Sequence, residues 1–183
     1  MSVLAVLARA YQRLPDAPPF GFSMQNVGFV LSLNRDGTVA EVIDLRTADR
    51  KRSPRQMLVP QPVKRTVAIA PNFLWDKTAY ALGVTAGNGK RTAQEHAAFR
   101  QKHQAWLEGT EDVGLLAFLR FLAGWRSDAF AERGWDAELR DQNLVFALEE
   151  ERLDGVLLHD RPAARDAWAR VSGESASDPR ICL

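Results

Sequence analysis

The sequence predicts an α+β fold, a small and mostly antiparallel β-sheet with a β-hairpin, covered by about five or more helices. Three observations carry that expectation. Residues 27–33 and 38–45 are β-rich runs separated by Asn34, Arg35, Asp36 and Gly37, and an Asp-Gly between two such runs signals a hairpin because Gly accepts the positive φ of the turn. Pro60 and Pro62 hold residues 58–63 extended, since the residue before a proline is steered out of the α region. From Thr92 to Trp125 the apolar residues recur at helical spacing. Strands followed by helices in this order pack as a sheet with helices on it.

Element by element, Leu4, Leu7, Tyr11 and Leu14 predict a short amphipathic helix ended by Pro15. Residues 16–19 then read as a turn and, after the hairpin, 46–55 as an exposed basic loop. Beyond Pro71, the residues Phe73, Leu74, Trp75, Ala79, Tyr80 and Leu82 predict a compact apolar helix stopped by Gly83. Thr92 with Glu95 three positions on predicts a capping box. The helix behind it carries Phe99, His103 and Trp106 on one face and ends at Gly109. A further helix is expected over 113–125, a strand over 144–148 and a second short strand over 156–158. Asp160 and Pro162 open a last helix reaching Val171 with Trp168 inward, followed by a polar loop over 175–178. The apolar ending 180–183 reads as an interrupted chain. The expected organisation is therefore one N-terminal domain, 1–183, of a longer protein, with a basic segment at 46–77 and a helical segment at 92–126.

A chain of 183 residues with 46% hydrophobic and 26% charged residues has globular composition. No apolar run approaches the roughly 18 residues of a membrane span, and residues 3–8 lack the basic flank and cleavage site of a signal peptide. The single cysteine, Cys182, makes neither an internal disulfide nor a Cys-based zinc site. A cytoplasmic location is expected. The net charge of +1 hides an asymmetry: residues 1–91 hold 13 Lys/Arg against 6 Asp/Glu, and residues 92–183 hold 11 against 17.

The basic half is densest at Arg46, Arg50, Lys51, Arg52, Arg55, Lys64 and Arg65, opposed in that window only by Asp49. Clustered cations of this kind neutralise phosphates and supply non-specific nucleic-acid affinity. Gln61 and Asn72 lie beside them, and side-chain amides can read base edges. Phe73 and Trp75 read as core. Catalytic signals are weak. His159-Asp160 lacks companions, because His96 and His103 are seven residues apart on one expected helix, roughly 10 Å along its axis and too far for one ion. Glu149, Glu150 and Glu151 read as a solvated turn, and Gly87-Asn88-Gly89-Lys90 lacks the spacing of a phosphate loop. A non-enzyme without metal or cofactor is expected.

The string Leu58-Val59-Pro60-Gln61-Pro62-Val63-Lys64-Arg65-Thr66, followed by Ile69-Ala70-Pro71-Asn72-Phe73-Leu74-Trp75-Asp76-Lys77-Thr78-Ala79-Tyr80, resembles the N-terminal signature of one CRISPR family. That family is the large subunit, of Cas-eight or Csd type, of the type I-C Cascade surveillance complex. The opening helix with Tyr11, the turn at 19–23 and the ending 178–183 match its pattern as well. The resemblance implies recognition of the protospacer-adjacent motif on invading duplex DNA within an RNA-guided complex, in which the protein reads a short duplex element and guide pairing reads the rest. It implies as partners the double-stranded DNA target, the CRISPR guide RNA, the backbone subunits and a helicase-nuclease recruited afterwards, with no membrane. On this reading Lys64 and Arg65 clamp phosphates, Asn72 and Gln61 enter a groove, and Lys77 holds an adjacent phosphate. Many family members carry Asn where this chain has Lys77. Arg46, Arg50, Lys51, Arg52 and Arg55 grip DNA phosphates or meet a subunit or the guide RNA, two options the residues leave open. A scaffold module that binds the guide-RNA handle or a neighbouring subunit without reading DNA is the alternative. A viral inhibitor mimicking DNA's charge would seek the same basic face, although no residue points to one.

Overall fold

The computed structural model describes residues 18–65 and 68–177, with side chains to residue 173. The expected first helix, Thr66 and the ending 178–183 lie outside the described residues.

The fold is α+β, with helices against two small sheets. β1 (Phe22–Val27) runs almost directly into β2 (Phe29–Leu33), the break falling at Gly28. There the Gly28 N–H donates to the Asn143 carbonyl and the Gly28 carbonyl accepts from Leu45 N–H, each at 2.9 Å. Val27 therefore ends β1, although the sequence pattern joins it to the following strand. β1 pairs antiparallel with β4 (Arg55–Pro60) as a two-stranded ribbon, from Phe22 opposite Pro60 to Val27 opposite Arg55. β2 turns through the expected hairpin into β3 (Val39–Asp44). Gly37 supplies the positive φ, +87°, and a Cβ there would lie 2.5 Å from the Phe121 backbone nitrogen.

The second sheet has the order β3-β2-β6-β5, with β6 (Asn143–Leu148) parallel to β2 and β5 (Trp75–Lys77) antiparallel to β6. Alternation sorts its side chains onto two faces. Phe29, Leu31, Leu33, Leu144, Phe146 and Leu148 join the larger core with helix residues such as Phe99, Phe118 and Trp168. Val30, Val145 and Ala147 join a smaller core with Val27 and Val59 of the ribbon and with Trp75. β6 is buried on both faces, which explains its unbroken apolar run.

The helices are α1 (Thr78–Ala81), α2 (Thr92–Trp106), α3 (Val113–Gly124), α4 (Ala129–Glu132) and α5 (Pro162–Ser177). The compact helix expected beyond Pro71 is instead the strand β5 followed by the single turn α1. Leu74 takes φ +59°, which no right-handed helix contains, and Trp75 then pairs with Val145. The capping box does not form either. Arg91 sits at the N-cap with no side-chain cap bond, and Thr92 is already helical. α3 is capped by Asp112, whose Oδ1 accepts from Gly114 and Leu115 N–H at 3.0 Å. The expected strand over 156–158 reduces to an isolated bridge between Ala147 and Leu157. α5 begins at Pro162, where a proline's missing N–H costs nothing, and continues through 175–177 in place of the expected loop.

Candidate nucleic-acid interface

Beyond β4 the chain leaves the ribbon and returns to β5 through residues 61–74. Polar contacts hold the described residues of this loop on both sides. Trp75 Nε1–H donates to the Pro60 carbonyl and Gln61 N–H to the Gly21 carbonyl, both at 2.8 Å. Val63 N–H donates to Asn72 Oδ1 at 3.0 Å. Arg65 Nε–H donates to the Ala70 carbonyl at 2.6 Å, and its guanidinium pairs with the Asp76 carboxylate while lying 4.1 Å from the Tyr80 ring centroid. Asp76 also accepts from Asn72 N–H at 2.9 Å and Lys77 N–H at 2.8 Å. Burial pushes the Asp76 carboxyl up, and the Arg65 guanidinium with the two backbone N–H groups works against that rise. A buried carboxylate needs such a set of partners. Among the described residues of this loop, Gln61, Val63, Lys64 and Ala68 are exposed.

Several side chains expected at the interface turn inward. Asn72 is 4% exposed: it is an internal brace on Val63 and presents no amide to a groove in this structure. Arg65, with 26% of its side chain exposed, is committed to Asp76 and Ala70 and is no free phosphate clamp. Arg46 has a side chain only 5% exposed, paired with Asp44 at 2.9 Å and Glu138 at 3.1 Å, with its guanidinium 4.8 Å from the Phe29 ring centroid. Arg52 joins the same acids, at 2.6 Å from Asp44. Both arginines fold their charge back onto the protein. Arg50, Lys51, Arg55, Lys64, Lys77 and the amide of Gln61 remain exposed. Lys77 and Arg65 share a depression of about 270 Å³ with Tyr80, Arg91 and Glu95, whereas Arg55 lines a different cleft.

Sequence reasoning missed Asp76 and His103 as supports of this loop. A signal exists for Asp76, which is the one acid inside the motif string. His103 Nε2 accepts the Leu74 N–H at 2.9 Å, and its Nδ1 donates to the Phe99 carbonyl at 2.8 Å.

The histidines have structural duties. His159 is buried with Nε2 on the Leu58 carbonyl at 3.0 Å, and His96 Nδ1 meets the Tyr80 carbonyl at 2.8 Å. Burial pushes all three histidines down, His103 to about 3. Among the described residues, no three His, Cys, Asp or Glu side chains could hold a metal ion together. The expected solvated acidic turn is engaged instead: Glu149 meets Ser32 and Arg152, Glu150 meets Arg35 at 2.6 Å, and Glu151 meets Arg161.

Among the described residues no helix is long and apolar enough to cross a membrane. No curated protein matches the chain. The family model described as CRISPR-associated protein (Cas_Csd1) matches residues 7–183, a span that contains both sheets, the braced loop and its exposed cations. The chain belongs to the CRISPR-associated Cas_Csd1 family, and its place is in a CRISPR system.

Proposed function

We propose that this chain is a nucleic-acid-binding subunit of a type I-C CRISPR RNA-guided surveillance complex in the cytoplasm and reads the protospacer-adjacent motif of invading double-stranded DNA. The observation that carries the reading is the braced 61–74 loop. Internal bonds at Pro60, Gln61, Val63 and Arg65 hold residues 61–65 and leave an amide, Gln61, and a cation, Lys64, exposed three residues apart. An amide can accept from and donate to a base edge, and a cation nearby fixes register on phosphate. A loop that does not need to order itself on binding loses less entropy there. Lys77, which lines one depression with Arg65, adds a cation on that side, whereas Arg50 and Lys51 precede β4 and lie at its opposite end from Gln61. Asn72, Arg65 and Asp76 position the loop and touch no DNA.

The guide RNA and backbone subunits share the complex, and a helicase-nuclease recruited afterwards cuts the target. Accordingly the chain performs recognition without catalysis.

The test is binding of motif-bearing and scrambled duplexes by the assembled complex. Gln61→Ala is expected to lose discrimination by roughly 1–3 kcal/mol, the worth of a good amide–base pair, while affinity for scrambled duplex persists. Unchanged discrimination would remove Gln61 as the reader.

A further inference from the structure

Between the four-stranded sheet and the β1–β4 ribbon lies a cleft of about 300 Å³, walled by Val30, Ile43, Leu45, Met57 and Leu157 and bordered by Arg55 and Arg152. Ile43, Leu45 and Met57 pack on the smaller core yet remain partly exposed, so the cleft is where that core meets solvent. Its two cations differ in state. Arg152 is neutralised by Glu149 at 3.1 Å and Glu41 at 3.2 Å. Arg55 is exposed, and among the described residues it has no ion-pair partner.

An aliphatic seat beside one uncompensated guanidinium selects an apolar group with an anion close to it. The walls carry no aromatic ring on which a nucleobase would stack, the usual means of holding an unpaired base. A protein side chain needs no such platform. Apolar anchors seated in a pocket and flanked by a charge partner are the common centre of protein–protein contacts.

We infer that this cleft docks another protein subunit of the CRISPR complex, taking one large apolar side chain with a neighbouring carboxylate set against Arg55. The inference does not depend on which residues read DNA. It resolves the open role of Arg55 in favour of a subunit contact.

The test places a photo-crosslinking phenylalanine analogue at Met57 in the chain assembled with its partner subunits and guide RNA. A crosslink to a partner polypeptide is expected, with its yield cut about tenfold by Arg55→Glu and restored when acids flanking the crosslinked residue are changed to Lys. Arg55 is exposed, so the melting temperature of the free chain should not move with that change. Should the analogue itself prevent folding, Leu45→Lys serves instead and is expected to reduce co-purification of the partner subunits about tenfold. A crosslink to RNA or DNA alone, no crosslink, or assembly indifferent to both Arg55→Glu and Leu45→Lys overturns the inference. Motif discrimination measured with the Gln61 variant is a separate readout, so either reading can fail alone.

Discussion

His103 Nε2 accepts the backbone N–H of Leu74 at 2.9 Å, and Leu74 is a non-glycine residue held at φ +59°. The helix α2 thus fastens the one backbone turn that ends the braced loop and starts β5. A left-handed leucine carries strain of order 1–3 kcal/mol and persists only where its surroundings determine it. The imidazole does so as a neutral Nδ1–H tautomer, since Nδ1 faces the Phe99 carbonyl. Protonating Nε2 would cancel the acceptor.

A pH dependence results. Burial pushes His103 from its ordinary 6.5 down to about 3. Its contribution is complete above the unfolded value and is lost as the pH falls from about 6.5 towards 3. The shift corresponds to an upper bound on the order of 5 kcal/mol. His103→Phe is expected to flatten the fall in melting temperature between pH 7 and pH 5, while costing about 1–3 kcal/mol at pH 7 through the orphaned Leu74 N–H. Equal slopes for the parent and the variant would show that His103 does not titrate with unfolding.

Arg65 and Asp76 form the other internal fastening. Removing the cation leaves a buried carboxylate uncompensated, so Arg65→Met is expected to lose about 3–5 kcal/mol in denaturant unfolding. Burial already pushes Asp76 up. Without Arg65 the folded state favours the protonated acid. Its contribution is then present below the unfolded pKa of the carboxyl and is lost as the pH rises through the folded one. A variant whose stability is independent of pH through the acid range would contradict the pairing. Arg65→Met/Asp76→Asn should recover part of the loss.

These fastenings mark the boundary of what is legible in the sequence. The hairpin, β6, α2 and α3 are local patterns: a turn with glycine, an apolar run, a helical stripe. Each is visible because its cause lies within a dozen residues. The segment around Leu74 reads as helix in the sequence because its strand character comes from β6, some seventy residues on. Asn72 reads as a groove reader and Arg65 as a phosphate clamp although their partners, the Val63 N–H and Asp76, lie only nine and eleven residues away. A polar side chain in a basic, proline-rich stretch looks like a surface group until the fold of the loop sets it against its hydrogen-bond donor or carboxylate partner. Arg46 goes the same way, since Glu138 is remote in sequence. The exposed remainder, Gln61 and Lys64, is already marked as a candidate by residue type alone.

Gly37 tests the hairpin. Its φ is +87°, and a methyl group at this position would approach both Arg120 Cβ and the Phe121 nitrogen to 2.5 Å, which leaves no room for a side chain. Gly37→Ala is expected to destabilise by more than the roughly 1 kcal/mol that a glycine-to-alanine change shifts at an unstrained site, because α3 must also move. Thermal unfolding measures it. An unchanged melting temperature would mean that the turn and α3 are not packed as described.

Lys64 and Arg46 separate an exposed cation from one spent on the fold. Lys64 is exposed and pairs with no acid among the described residues, whereas the Arg46 side chain is 5% exposed between Asp44 and Glu138. If Lys64 meets a phosphate, Lys64→Ala lowers affinity for every duplex alike and reduces the slope of log affinity against log salt by about one, with no change in melting temperature. Arg46→Ala should do the reverse: it lowers stability by about 1–3 kcal/mol through lost charged hydrogen bonds and leaves the salt slope alone in whatever protein remains folded. Hydrogen bonds to Asp44 and Glu138 raise the Arg46 guanidinium, and the same guanidinium holds Asp44 below the usual carboxylate range, so the stability loss should itself shrink as the pH falls through the carboxylate range. A salt slope that moves with Arg46→Ala, or stays fixed with Lys64→Ala, would reverse the two assignments.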